Sequence, residues 1–297
     1  MKILMTGSTG LIGKALLPAL SALGHQVTPL RRRPGAAPGE VSWDGLDDAA
    51  LAGTEAVIHL AGENIAAGRW TKAKKLRIST SRIQGTGLVA AAIALLRPPP
   101  RILLCASAVG FYGNRGDEIL TEDSPPGTGF VADVCRQWED ASAPAEAAGI
   151  RVIHARLGVV LCKQGGALAK MLTPFKLGLG GAIGNGIQFV AWITLDDAVA
   201  AMIHLLDRSN LYGPVNLVAP SSVTNRELTK SLGRALHRPT IFPMPVFAAR
   251  LAFGEMADEL LLSSARAIPR RLLDDGFKFQ YPDLDPALAH ILGGSAA

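Results

Sequence analysis

The chain has 297 residues, 48% of them hydrophobic and 19% charged, enough apolar material for one large α/β domain or a nucleotide-binding domain with a smaller second lobe. That composition excludes disorder as the main state, and the longest apolar run, residues 88–96, is too short to cross a membrane. Thirty basic and 25 acidic residues leave a net charge of +5, but they are mostly interspersed and no aromatic residues accompany the basic runs, which argues against a nucleic-acid-binding face.

In chain order, residues 2–6 predict a short buried strand, 7–13 a turn, and 14–23 a helix with Leu16, Leu17 and Leu20 on its apolar side and Gly24 closing it. Strands are expected at 26–30 and 41–43. Residues 56–60 form a continuous apolar run of the kind buried on both faces of a parallel sheet. A long helix spans 71–96 and stops at Pro98-Pro99-Pro100. A fifth strand follows at 101–106, a helix at 130–148 and a strand at 151–161. This alternation predicts a doubly wound parallel α/β sheet.

Beyond Cys162, seven glycines between 165 and 186 mark a functional loop or hinge. Regular structure returns with a strand at 192–193, a helix at 196–207 whose Asp196-Asp197 start reads as an N-cap, and a strand at 214–218. The tail from 221 onward is helical and interrupted by prolines. Cys105, Cys135 and Cys162 are odd in number and lack pair spacing, which fits a reducing cytoplasm rather than a disulfide framework. The histidines are scattered and indicate no metal site.

The first turn, Gly7-Ser8-Thr9-Gly10-Leu11-Ile12-Gly13, follows a strand and opens a helix. Gly7 permits the tight turn, Gly10 lets backbone approach a pyrophosphate, and Gly13 lets helix and strand pack closely. The free N–H groups and positive dipole end of the helix then face the phosphates. In this context the spacing predicts a dinucleotide site; a glycine turn without ligand is the alternative. An acid after the second strand would select NAD. Arg31-Arg32-Arg33 stands there instead, so Arg31 and Arg32 read as a 2′-phosphate site selecting NADP. A solvated basic loop is the competing reading.

Four segments carry a resemblance: residues 6–13, Val57-Ile58-His59-Leu60-Ala61-Gly62, Ser107 to Gly113, and Trp192 to Asp197. They resemble the extended short-chain dehydrogenase/reductases. Ala61 to Ile65, Arg69-Trp70, Leu177 to Gly181 and Gly254 to Phe277 are similar to its atypical, sugar nucleotide epimerase-like branch, an NAD-dependent epimerase/dehydratase type with a C-terminal domain of unknown function. The resemblance covers essentially the whole chain. It implies a Rossmann domain over 1–220, with the glycine-rich loop 163–190 contributing to a smaller, mostly helical substrate lobe over 221–297. It implies NADP binding and an oxidoreductase or epimerase activity. It also assigns Leu60, Ala61 and Gly62 to the cofactor's ribose and pyrophosphate, Arg82 to a helix position that reaches the cofactor, and Val159 and Val160 to the strand behind the nicotinamide.

The catalytic pattern departs from the resemblance. Where such enzymes carry Tyr-x-x-x-Lys, this chain has Phe130 or Val131 and Val134 or Cys135. Glu63, Ser107 and Tyr112 remain as acid/base candidates near the ends of the fourth and fifth strands. Two of them have a structural alternative: capping for Glu63, packing for Tyr112. Two functions therefore stay open, an NADP-dependent oxidoreductase or epimerase acting on a small or sugar-like substrate, and a cofactor-binding sensor or assembly factor without turnover. The expected partners are a small-molecule substrate, with no nucleic acid and no membrane; a homodimer is compatible with this reading.

Overall fold

A computed structural model describes residues 1–31, 41–42, 51–208 and 210–293, with the side chains of 31, 41 and 42 excepted. The chain opens with β1 (Lys2–Thr6), α1 (Leu11–Ala22), β2 (Gln26–Arg31), β3 (Val41–Ser42), β4 (Ala56–His59), α2 (Lys72–Ala94) and β5 (Ile102–Ala108). A 3₁₀ turn at Val109–Tyr112, β6 (Ile119–Leu120), α3 (Phe130–Asp140), α4 (Ala143–Ala147), β7 (Arg151–Leu157) and β8 (Val159–Leu161) follow. Next come α5 (Gly166–Lys176), β9 (Phe189–Val190), β10 (Trp192–Thr194), α6 (Leu195–Asp207), β11 (Gly213–Leu217), β12 (Val223–Thr224) and α7 (Asn225–Leu236). The tail holds α8 (Val246–Phe253), a π-helical turn at Ala257–Leu261, β13 (Arg266–Ala267), α9 (Arg270–Asp274) and α10 (Leu284–Gly293).

Seven parallel strands form the main sheet in the order β11-β7-β5-β4-β1-β2-β3. The order reverses between β1 and β4, which places a ligand crevice at the carboxyl ends of those two strands. One face of the sheet is covered by α1 and α6 over a core that includes Ile3, Met5, Leu16, Ile58 and Met202. The other is covered by α2 and α4 over Leu4, Val57, Val89, Ile93 and Leu103. Helices α5, α7 and α10 share a separate core of Leu168, Phe175, Leu228, Leu232 and Leu288 beside this sheet.

Some elements differ from expectation for local reasons. The helix expected over 130–148 is two helices. Ser142 donates its hydroxyl to the Glu139 carbonyl, and Pro144, near the start of α4, has no N–H to continue the ladder. The strand expected over 151–161 breaks at Gly158, whose N–H bonds Leu217 and where a Cβ would meet the Ala191 carbonyl at 2.6 Å. Past that break β8 leaves the main sheet and pairs with β10. The glycine-rich stretch is half helix, since α5 occupies Gly166–Lys176. Thr194, rather than the Asp196-Asp197 pair, caps α6 by accepting from Asp197 N–H. The Asp197 carboxylate instead receives the N–H groups of Gln280 and Tyr281 at 2.7 and 3.0 Å, which ties the tail to the sheet.

Candidate functional site

The turn between β1 and α1 is shaped by what it lacks. Gly7 has a positive φ of 72°, and a Cβ there would meet the backbone of Leu60 at 2.6 Å. A Cβ on Gly13 would collide with the Gly7 carbonyl and, at 2.8 Å, with Ser8 Cα. Gly10 is the N-cap residue of α1 and offers no capping side chain, so the donors of the helix's first turn are left for another acceptor. The Ser8 hydroxyl, within the same turn, is buried with no hydrogen-bond partner among the described residues. Thr9 is exposed, and Leu11 and Ile12 are half-buried at the helix start.

Thr6 fixes this turn against β4. Its hydroxyl oxygen accepts the N–H groups of Leu60 and Ala61, both at 3.2 Å, and lies 2.8 Å from His59 Nδ1. His59 is fully buried, and desolvation pushes its pKa down to about 4. The ring is therefore neutral and shares one hydrogen bond with the Thr6 hydroxyl through Nδ1. Leu60 and Ala61 are half-buried and Gly62 is exposed, a strip of small or apolar residues beside the turn.

Arg82 lies over Gly62: a Cβ there would sit 3.5 Å from its Cζ. Its Nη1 donates to the carbonyls of Glu63 (3.0 Å) and Ile78 (3.3 Å), and its guanidinium stands 5.0 Å from the Trp138 ring. No carboxylate pairs with it among the described residues. On the opposite rim, half-buried Val159 and Val160 begin β8, and a Cβ on Gly165 would meet the Leu11 side chain at 3.0 Å. Arg32 and the Arg31 side chain lie outside the described residues.

The three acid/base candidates fall into two places. Glu63 forms an ion pair with nearly buried Lys74 at 2.7 Å and approaches Arg77 at 3.6 Å. The Lys74 hydrogen bond holds its carboxyl below the usual range. Its N–H donates to Ser81 Oγ at 2.9 Å. Ser107 and Tyr112 instead share a buried network. Ser107 Oγ donates to Glu139 Oε1 at 2.6 Å, and Glu139 receives Arg156 bidentately, with both contacts at 2.8 Å. Arg156 stacks 3.5 Å over the Phe111 ring and donates to Tyr112 Oη at 3.0 Å. Tyr112 in turn donates to Asn216 Oδ1 at 2.7 Å. Burial pushes the Tyr112 phenol up, despite Arg156 beside it, so it stays protonated.

Glu139, Arg156 and Asn216 are the network residues that sequence reasoning did not single out. An arginine next to last in the largely buried strand 151–157 is the signal that points to them, because a buried guanidinium needs a paired carboxylate. Glu122 completes the set: its Oε1 accepts Asn216 N–H at 3.0 Å and Arg271 N–H at 3.3 Å, and burial raises its pKa.

Among the described residues no group of His, Cys, Asp and Glu is placed to hold a metal ion, and no helix is long and apolar enough to cross a membrane. The basic run Lys72–Lys75 is partly neutralised, by Glu63 on Lys74 and by Glu255 on Lys75.

Comparison with known proteins places these features in context. Residues 3–217 match the NAD dependent epimerase/dehydratase family, and residues 244–291 match a domain of unknown function, DUF1731. An epimerase family protein of Mycobacterium bovis is 44% identical over 292 residues, covering 97% of this chain and 96% of the relative. The crystal structure of human epimerase family protein SDR39U1 with NADPH superposes with a TM-score of 0.93 at 37% identity, covering 99% of this chain and 100% of that one. A nucleoside-diphosphate sugar epimerase from Corynebacterium glutamicum superposes with a TM-score of 0.81 at 37% identity, covering 99% of this chain and 58% of that one.

Proposed function

The chain belongs to the NAD dependent epimerase/dehydratase family, and we propose that it is an NADPH-binding oxidoreductase or epimerase acting on a small or sugar-like substrate. The observation that carries this reading is the turn after β1. It has no room for side chains at Gly7 and Gly13 and holds a buried Ser8 hydroxyl without a partner. The first feature packs the turn tightly against β4 and the start of α1, and the second leaves a buried donor beside the uncapped helix N-terminus, where a pyrophosphate can accept hydrogen bonds. The NADPH held by the human relative supports the same assignment.

In this reading Gly7, Thr9 and Gly10 to Gly13 wrap the pyrophosphate, with Leu60, Ala61 and Gly62 along the ribose. Arg82, which pairs with no carboxylate among the described residues, supplies counter-charge. Val159 and Val160 back the nicotinamide, and Arg31 and Arg32 select the 2′-phosphate. NADPH, when bound, supplies hydride. The substrate lies beneath the lobe made by residues 221–293 with α5. Ser107 is the proton-transfer group: its hydroxyl would donate a proton to the oxygen of a carbonyl that takes up hydride and regain one from solvent, while Glu139, 2.6 Å away, orients it. Tyr112 positions Arg156, and through it Glu139. Glu63 positions Lys74 and the segment that follows β4. The three cysteines are free and buried, in keeping with a cytoplasmic location.

Calorimetry of NADPH against NADH on the native chain and on Arg31→Ala and Arg32→Ala tests the binding half. Each loss should weaken NADPH by roughly 10- to 150-fold, and equal native affinity for both cofactors would sink it. NADPH oxidation against aldehydes, ketones and keto-sugars, repeated with Ser107→Ala, Glu139→Gln, Tyr112→Phe and Glu63→Gln, tests the chemistry. A true acid/base group is worth about 100- to 10,000-fold. If Ser107→Ala keeps native turnover, the proton-transfer assignment is wrong. One observation favours a second reading, a cofactor-binding sensor: the Ser107 and Tyr112 hydroxyls both donate to groups within the protein. Tight NADPH binding with no turnover across the panel would select it.

A further inference from the structure

Two segments some sixty residues apart run side by side at the outer edge of the C-terminal lobe. Met244 N–H bonds the Ala182 carbonyl, and Gly184 N–H bonds the Met244 carbonyl, each at 2.9 Å. Gly181 passes so close to the Phe242 carbonyl that no side chain would fit there. Gly178 lies beside Pro239. The pair presents Leu177, Leu179, Ile241 and Phe242 to solvent, and α8 adds Phe247 and Leu251 one turn apart. All six are between 55% and 74% exposed. Large apolar side chains left exposed on adjoining segments mark an interaction site.

The unpaired charges beside it are cationic. Lys176, Lys230 and Arg238 are exposed, and none has a carboxylate partner among the described residues. Arg238 Nε donates to the Lys176 carbonyl at 2.9 Å, which holds these two residues together. Nearby acids are already engaged: Glu255 with Lys75, Asp258 with Arg250, and Asp285 with Arg234. A second copy docking face to face would set this unpaired cationic rim against itself. The six apolar side chains are Leu, Ile and Phe, with no Tyr or Trp to supply the directional polar contacts that dominate protein–protein hot spots. Aliphatic and Phe side chains with free Lys and Arg at one end suit an anionic lipid surface, where acyl chains take the apolar groups and headgroups the cations.

We propose that this face docks peripherally on an anionic bilayer. The expectation of no membrane partner rested on the lack of a spanning helix, and a surface contact needs none.

Cosedimentation of the full chain with phosphatidylcholine vesicles, with and without phosphatidylglycerol, tests the proposal. The native chain should pellet with the anionic vesicles at low salt, be released at high salt, and ignore the neutral ones. The pair Phe247→Asp with Leu251→Asp, and the pair Lys176→Glu with Lys230→Glu, should each weaken binding at least tenfold while NADPH affinity and near-UV circular dichroism stay native. The proposal is overturned if the native chain stays in the supernatant with anionic vesicles, or if either pair binds them as well as native. It also falls if light scattering shows a dimer that the Phe247/Leu251 pair dissolves, which would make a second copy the occupant. Retention on immobilised polyglutamate without vesicle binding would move the assignment to an acidic protein, and overturn it likewise.

Discussion

The β1–β4 crevice and the Ser107–Tyr112 network sit at neighbouring strand ends and solve opposite problems. The crevice is built from missing side chains: Gly7 and Gly13 let backbones touch, and the α1 N-terminus and the Ser8 hydroxyl keep donors unspent. The network is built from long side chains whose polar atoms find each other, Ser107 to Glu139 to Arg156 to Tyr112 to Asn216. Unspent polarity marks the place where a ligand belongs, because burying an unpaired donor costs free energy until something accepts from it. Satisfied polarity marks a scaffold, and apart from Ser107, to which the proposed function also gives proton transfer, a residue inside it acts on a ligand through the geometry it holds.

The largest effect should come from breaking the network. Arg156→Leu leaves the Glu139 carboxylate nearly buried without its cation, and removing one partner of such a pair costs about 3–5 kcal/mol. Urea denaturation should show that loss; a change under about 1 kcal/mol would mean the pair is not held as described.

The next concerns His59 beneath the crevice. Its folded pKa of about 4 lies below the ordinary 6.5, so below pH 6.5 the unfolded chain binds a proton that the folded chain refuses. Stability from this group is intact above pH 6.5 and falls by about 3 kcal/mol as pH drops to 4. Denaturation midpoints across that window should slope downward, and His59→Gln should flatten the slope.

Gly13→Ala sharpens the contrast from the other side. The methyl must displace the Gly7 carbonyl and Ser8 Cα, an overpacking cost of about 1–3 kcal/mol. NADPH affinity should be lost with the turn's shape, while the network hydrogen bonds persist. Native affinity in a folded Gly13→Ala chain would show that the phosphate site lies elsewhere.

Ser107→Ala should be the mildest. Glu139 keeps its bidentate arginine, so only one hydrogen bond to a charged acceptor is lost, about 1–2 kcal/mol by thermal melt. NADPH affinity should not move. If it does, crevice and network are coupled more tightly than their contacts indicate.

The crevice was legible because its requirements are local. A positive φ at Gly7, close approach at Gly13 and a helix start at Gly10 fall within seven consecutive residues, so the spacing of glycines carries the whole geometry. The network was only half legible. Ser107 and Tyr112 could be named, but not that Glu139, 32 residues on, would take the serine proton, nor that Asn216, 104 residues on, would take that of the tyrosine. Glu63 illustrates the same limit: its place after β4 suggests a free carboxylate, yet one turn of α2 brings Lys74 onto it.

What the sequence by itself determined is the order of strands and helices, the parallel sheet they imply, and the glycine turn at its centre, because apolar period, caps and backbone freedom are properties of short segments. Tertiary structure alone decided where the polar side chains spend their hydrogen bonds and which apolar ones remain uncovered. Burial and pairing depend on what lies opposite. The breaks at Gly158 and Ser142, the Arg156 network and the face shared by residues 177–179 and 241–251 all come from segments that meet only once the sheet has formed.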